Sequence, residues 1–220
     1  MTQPPAPRIS VAHLADDGRL HAPAAERNAH FIVTLLERYA PPHGDALEIA
    51  SGTGQHVVAF AKALPGLTWQ PTDVEEARLQ SIRIWSAEAG LDTILPPLIM
   101  DATSPGWGKS HAGKCLVVLV NLLHLIPAPD AARLLQETYA ALMPGGRMVF
   151  YGPFLRNGVA TSEGDQQFHA SLEAQETGIG YKDDRQVLTW LKDVGLQLVT
   201  VEDMPSNNLA FVAERPLESL

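Results

Sequence analysis

The sequence predicts one α/β domain: a mostly parallel sheet, helices on both faces and a closing antiparallel hairpin. Two observations carry that expectation. Short apolar runs alternate with stretches whose apolar residues recur at helical spacing, the rhythm of strands joined by right-handed crossover helices. The last two runs, around Leu196–Val201 and Leu209–Ala213, are joined only by the turn-like Met204-Pro205-Ser206-Asn207-Asn208. That connection is too short for a crossover, so this pair is antiparallel.

Taken in order, residues 1–21 read as a mobile lead-in, Pro-rich at its start. Pro23 suits a first helical turn, and Phe31, Ile32, Leu35, Leu36 and Tyr39 continue a helical stripe that stops before Pro41-Pro42. Ala46–Ala50 is a short strand running into Ser51-Gly52-Thr53-Gly54, Gln55–Leu64 a compact helix, and Leu67–Pro71 a second strand. Val74–Ala89 carries Leu79, Ile82 and Trp85 on one side of a helix, and a strand over about 94–100 ends at Asp101. Cys115–Val120 is the most continuous apolar run and reads as a central strand covered on both faces. A helix over Asp130–Leu142 ends at Met143-Pro144-Gly145-Gly146, and Arg147–Tyr151 is the next strand. Residues 155–182 form a long Gly- and polar-rich insertion with one helix near Gln166–Ala174. Asp183–Val194 is a helix with Asp at its start and Gly195 at its end.

The 220 residues suit a single domain, with 22–220 as its folded body and 155–182 as a lid. Lys+Arg number 16 against Asp+Glu 25, for a formal net charge of -9, which disfavours a protein whose main business is gripping nucleic acid. Cys115 is the only cysteine, so an intrachain disulfide and a Cys-rich zinc site are both excluded. No metal-ligand spacing is visible among His, Asp and Glu. The start of the chain has no signal-like apolar core, and the longest apolar stretch, Cys115–Ile126, is too short to span a bilayer. The expectation is a soluble cytoplasmic protein with no membrane partner.

Open α/β sheets bind ligands beyond the carboxyl ends of their strands. Four such ends carry glycine or polar residues. At Glu48-Ile49-Ala50-Ser51-Gly52-Thr53-Gly54, glycines permit a sharp turn and close approach of a ligand to the following helix. The third glycine of a dinucleotide fingerprint is replaced by Val57, and a tight strand–helix turn is the alternative reading. Asp73, 21 residues beyond Gly52, suits a ribose; with Glu76 it also has the spacing of a helix capping box. Asp101-Ala102 presents a carboxylate suited to an adenine amino group or to a strand-end turn, and Asn121 follows the central strand.

These pieces resemble a known pattern. LEIASGTGQH at 47–56, an acid after the second strand, an acid after the third and LMPGG before the fifth strand are similar to a class I S-adenosylmethionine-dependent methyltransferase. APAAERN at 22–28, WQPTD at 69–73, NLLHLI at 121–126, YGPF at 151–154 and MPSNNL at 204–209 resemble, more closely still, the small methyltransferase-like twenty-six family (domain of unknown function 938). The resemblance implies a Rossmann-like fold with a seven-stranded, mostly parallel sheet and S-adenosylmethionine as cofactor. It implies Gly52 and Gly54 against the methionine part of the cofactor, Asp73 on its ribose and Asp101 near its adenine. Glu48, Ala50, Ala102 and Asn121 complete the strand-end set. The chain departs from its relatives at Glu163–His169 and Ile179–Asp183, in the part placed nearest the substrate.

Arg27 and Asn28 extend the packed face of the first helix by their spacing to Phe31, Ile32 and Leu35, and are read as meeting a carboxylate of cofactor or substrate. The alternative is a salt bridge or a helix–sheet hydrogen bond. His124, just past the central strand, is a candidate general base or orienting residue, with a structural role as its rival. Tyr151 is the second catalytic candidate. Phe154, Phe168, Tyr181, Asn207 and Asn208 are candidate acceptor contacts, with packing under the insertion as the rival role for Tyr151 and Phe154 and packing against the core as that for Phe168. His56 reads as a solvated or capping residue. There is no Gly-x-Ser-x-Gly elbow and no phosphate loop. The expected activity is methyl transfer to a small molecule, with cofactor sensing without turnover as the alternative and an NAD-dependent oxidoreductase as a third reading. The sequence leaves the oligomeric state open.

Overall fold

A central β-strand, Lys114–Val120, organises the molecule because its run Cys115–Leu119 is buried on both faces and forces a helical layer onto each. The computed structural model describes residues 12–15, 18–175 and 178–217. Of the expected lead-in, residues 1–11 and 16–17 lie outside them.

The chain starts with a small antiparallel pair, β1 (His13–Leu14) and β2 (Leu20–His21), before α1 (Pro23–Tyr39). Then follow β3 (Gly44–Ile49), α2 (Gln55–Ala63), β4 (Leu67–Asp73), α3 (Glu76–Ala89), β5 (Leu98–Ile99) and a single-turn α4 (Trp107–Ser110). The central strand is β6 (Lys114–Val120), followed by a 3-10 turn at Leu123–Leu125, α5 (Ala128–Ala141) and β7 (Leu142–Leu155). The insertion holds α6 (Glu163–Glu173) and β8 (Lys182–Asp183), and α7 (Asp184–Val194) leads to β9 (Gln197–Met204) and β10 (Asn208–Glu214).

The main sheet runs β5-β4-β3-β6-β7-β10-β9, the expected seven strands, with β8 paired parallel to the far end of β7 as a short eighth. Strands β3 to β7 pair in parallel, and β10 lies antiparallel between β7 and β9. Alternation along the strands splits the core in two. Leu47, Ile49, Val117, Leu119 and Phe150 face Leu134, Leu135, Val187 and Leu191 of α5 and α7. Ala46, Leu116, Val118 and Val149 face Ile32, Leu35, Leu36, Val57, Phe60, Leu79 and Ile82 of α1, α2 and α3. Among the described residues no helix is long and apolar enough to cross a membrane.

Four expectations change. Residues 18–21 are docked: the Leu20 amide donates to Ser81 Oγ at 2.8 Å, Trp85 Nε1 donates to the Leu20 carbonyl at 2.9 Å, and Arg19 stacks over the Trp85 ring. The strand foreseen over 94–100 shrinks to Leu98–Ile99 plus an isolated bridge from Ile94 to Trp69, because Pro96-Pro97 supply no ladder amides. Strand β7 is far longer than Arg147–Tyr151. A register shift opposite Lys114–Leu116 absorbs the Pro144-Gly145-Gly146 stretch, and pairing with β10 and β8 draws the strand on to Leu155. Phe31 leaves the packed stripe of α1 and is 38% exposed.

Candidate active site

Strands β3 and β6 are neighbours from which the chain departs in opposite directions, so the crevice beyond their carboxyl ends is the switch point of the sheet. Each strand ends in a non-glycine residue in the left-handed region, Ala50 (φ 52°) and Asn121 (φ 56°). Such a conformation costs roughly 1–2 kcal/mol and persists only where surrounding bonds impose it. Here Ser51 N donates to Thr72 O and Asn121 N to Tyr151 O, each at 2.8 Å.

The two glycines of the turn have different jobs. A Cβ on Gly52 (φ 59°) would make only ordinary contact, with Arg78 Nη1 at 3.5 Å and Ala50 O at 3.9 Å, so no neighbour blocks that side. A Cβ on Gly54 (φ 93°) would lie 2.9 Å from Ile82 Cα. Gly54 therefore lets α2 approach α3, a packing role that stands beside the expected one toward a ligand.

Glu48 is 1% exposed and its Oε2 has no partner among the described residues. Burial pushes its pKa up to about 8, the Asp73 charge adds to that, and the Ser51 hydroxyl opposes it. Asp73, also buried, accepts Gly52 N at 2.9 Å on one oxygen and the amides of Val74 (2.8 Å) and Glu75 (3.2 Å) on the other. Burial raises its pKa against those three donors and Arg78. The foreseen Asp73–Glu76 capping box does not form, because the cap residue of α3 is Glu75 and Asp73 is turned back to the glycine loop. Asp101 is exposed and accepts from Thr103 N, Thr103 Oγ1 and Ser104 Oγ, which lower its pKa; Ala102 is buried beside it.

On the α1–α2 side, Asn28 and His56 are brought together: Asn28 Oδ1 lies 2.7 Å from His56 Nε2. His56 is buried, stacked on Phe60, and its pKa is lowered to about 4 by burial, so the solvated role foreseen for it is wrong. The amides of Asn28 and Asn208 both lie against the Tyr151 hydroxyl, whose pKa burial nevertheless raises. Arg27 is exposed, with no side-chain partner among the described residues. The packed face of α1 runs through Ala25, Asn28, Ile32 and Leu35, so the expected burial of Arg27 is corrected.

His124 falls in a different cluster. Its ring, Phe168 and Tyr181 stand edge to face with all three centroid distances at 6.0 Å. The His124 ring nitrogens make no hydrogen bond among the described residues, and burial, with Lys182 nearby, lowers its pKa to about 3. Lys182 is buried and donates to the carbonyls of Ile126 (2.8 Å) and Gly180 (2.7 Å); burial lowers its pKa to about 8. Phe154 is 2% exposed and packs on Phe150 and Phe211, so it is a core residue rather than a wall of the acceptor site. Asn207 donates to Asp165 of α6, and Asn208 donates to Pro205 O and Ser206 O within its own turn.

Three residues were missed by the sequence reading: Ser81, Gln55 and Asp165. Ser81 Oγ donates to Thr53 O at 2.7 Å, and Gln55 Oε1 accepts from Ala22 N and Thr53 Oγ1, so both fasten the glycine turn to the N-terminal segment. No local pattern marks either. For Asp165 the signal existed, as Ser162-x-x-Asp165 has capping spacing, but its long-range partners were not legible.

The fold built on this sheet is similar to those of solved methyltransferases. An O-methyltransferase family protein from Burkholderia thailandensis superposes with a TM-score of 0.76 at 14% identity, over 89% of this chain and 58% of that one. Human N-acetylserotonin methyltransferase, solved in complex with SAM, gives 0.71 at 14% identity, over 88% and 53%. An O-methyltransferase family 2 protein from Planctomyces limnophilus, in complex with apigenin, gives 0.68 at 17% identity, over 84% and 61%. The fold is that of the class I methyltransferases, and the chain spans little more than half the length of these structures. The chain belongs to the family described as "Protein of unknown function (DUF938)", whose model matches residues 19–215. The motifs quoted from the sequence point to that same family.

Proposed function

We propose that the chain binds S-adenosylmethionine beyond the carboxyl ends of β3, β4 and β6 and transfers its methyl group to a small-molecule acceptor in the cytoplasm. The observation that carries this reading is Glu48, a buried carboxyl with an unpartnered oxygen at the switch point. A buried acid left in that state calls for a cationic partner, and the cofactor carries both an ammonium and a sulfonium.

The residues fit the group. Glu48 answers the ammonium, and the unblocked side of Gly52 leaves room for the chain beside it. Asp73 accepts three backbone amides of the roughly four its lone pairs allow, which leaves capacity for a ribose hydroxyl. Asp101 and Ala102 adjoin the adenine, and Arg27 answers the cofactor carboxylate. When bound, the cofactor supplies a methyl group on a positive sulfur, and the protein's task is to align the acceptor and keep water out. Tyr151 orients the acceptor, Phe168 and Tyr181 cover it, and His124, held neutral by burial beside Lys182, serves to orient rather than to take a proton. The apigenin complex of the Planctomyces protein supports a small aromatic acceptor class by analogy of fold.

Calorimetric titration of S-adenosylmethionine and S-adenosylhomocysteine, with NAD in competition, tests the reading. Both sulfur ligands are expected to bind and NAD is not, and Glu48→Gln should weaken binding by at least about tenfold, as for a lost charged hydrogen bond. Absence of binding overturns the proposal. Binding without S-adenosylhomocysteine formation across a panel of hydroxylated aromatics would favour the sensing alternative.

A further inference from the structure

The α6 segment, packed on its own small core through Leu172 and Phe168, meets the β9–β10 turn through one carboxylate. Asp165 Oδ2 accepts from Asn207 Nδ2 at 2.9 Å, and Asp165 Oδ1 accepts from the Tyr181 hydroxyl at 3.3 Å. Ser162 Oγ donates to the same carboxylate at 2.7 Å while accepting the Asp165 amide, so the first turn of α6 is locked around it. Asn207 belongs to the turn between β9 and β10, whose Ser206 and Asn207 are both left-handed. Arg156 Nη2 steadies that turn from the other side, through Asp203 Oδ1 and the carbonyls of Asn207 and Asn208, each at 3.3 Å. The next residue, Asn208, pairs with Pro153 in the β7–β10 ladder and so shares a sheet face with Tyr151 two residues back along β7, near its hydroxyl, with Asn28 and His56 beyond. A row of polar side chains therefore runs from α6 to the start of α2.

We propose that Asp165 is a positioning residue through which α6 sets the Tyr151 hydroxyl, by holding the β9–β10 turn that carries Asn208. Its bearing on catalysis rests on the methyltransferase reading, in which Tyr151 orients the acceptor; the coupling itself does not. A carboxylate suits the task because it accepts from Asn207, Tyr181 and Ser162 at once, whereas an amide in its place presents a donor to at least one of those donors.

The test is made on the ligand-free full chain with ring-labelled tyrosine, the Tyr151 signal being assigned by Tyr151→Phe. Asp165→Asn and Asn207→Ala are each expected to shift that signal and to speed amide exchange of residues 206–208 by about tenfold or more, the loss expected for a hydrogen bond to a charged acceptor. The pair Asp165→Asn with Asn207→Asp restores a donor–acceptor match in reverse, and should return both readouts toward wild type. If exchange quickens only within α6 while the Tyr151 signal stays in place, the coupling is refuted. A reversed pair no better than Asp165→Asn alone also refutes it. Should Asp165→Asn fail to fold, Asn207→Ala, an exposed turn substitution, decides on the Tyr151 signal. S-adenosylhomocysteine binding is titrated separately, so its absence would remove the cofactor reading without touching the coupling.

Discussion

Glu48, His56 and His124 give the protein opposed pH slopes. The Glu48 carboxyl titrates near 8 in the fold against an ordinary 4.5, so between those values the unfolded chain ionises first and stability falls as pH rises. His56 and His124 titrate near 4 and 3 against 6.5, so below 6.5 the unfolded chain takes up protons first and stability falls as pH falls. Thermal melts across pH should show both limbs, and Glu48→Gln should flatten the alkaline one alone. A ligand cation at Glu48 draws its pKa down, so cofactor binding near neutral pH should release a proton, seen as a binding enthalpy that varies with buffer ionisation heat. The two glycines separate cleanly. Gly54→Ala should lower stability by about 1–3 kcal/mol, since its Cβ meets the backbone of α3. Gly52→Ala should cost only the left-handed strain of roughly 1–2 kcal/mol while weakening S-adenosylhomocysteine binding; melts and titrations of both variants check this. The sequence made the glycine pair visible as a motif, but which glycine serves packing depends on Ile82, 28 residues away.

At the scale of elements, what was legible followed periodicity. The stripe of α1, the run of β6 and the Asp183 and Gly195 ends of α7 are local signals, and the structure uses them as such. What was not legible depends on partners far along the chain. β2 exists because Ser81 and Trp85 of α3 hold Leu20, and β7 continues to Leu155 because β8 and β10 pair with it. The N-terminal attachment gives a direct expectation. Ser81 is fully buried and bonded to Leu20 N and Thr53 O, so Ser81→Ala leaves both backbone groups unpaired and should cost about 1–3 kcal/mol. Trp85→Phe removes only one donor and should cost about 0.5–1.5 kcal/mol. Denaturant melts, with proteolysis to follow release of the segment around Leu20, measure the two.

Across the whole molecule, the two candidate catalytic residues stand in separate clusters: Tyr151 beneath α1 and the hairpin turn, His124 beneath α6 and Tyr181. On the methyltransferase reading, ligand binding bears on both. Hydrogen exchange should slow over Glu163–Glu173 and over residues 22–30 when S-adenosylhomocysteine saturates the protein; unchanged rates in both would count against a cover that tightens on the ligand. The strand-end acids were readable in advance because a sheet of this type announces its crevice through glycine and carboxylate at strand ends. Asn28, Tyr151 and Asn208 were legible singly, but their meeting, and the tie of Asp165 to the turn beside them, was not, because no spacing relates them. The antiparallel placement of β10 between β7 and β9 bears on biosynthesis. A ribosome makes the glycine turn, Asp73 and β6 well before it makes Asn208, so the crevice half of the sheet is complete while Tyr151 still lacks one of its two amide neighbours. Until β10 slots in, both β7 and β9 present open edges, so an interrupted or shortened chain would pass through a sticky, half-assembled state.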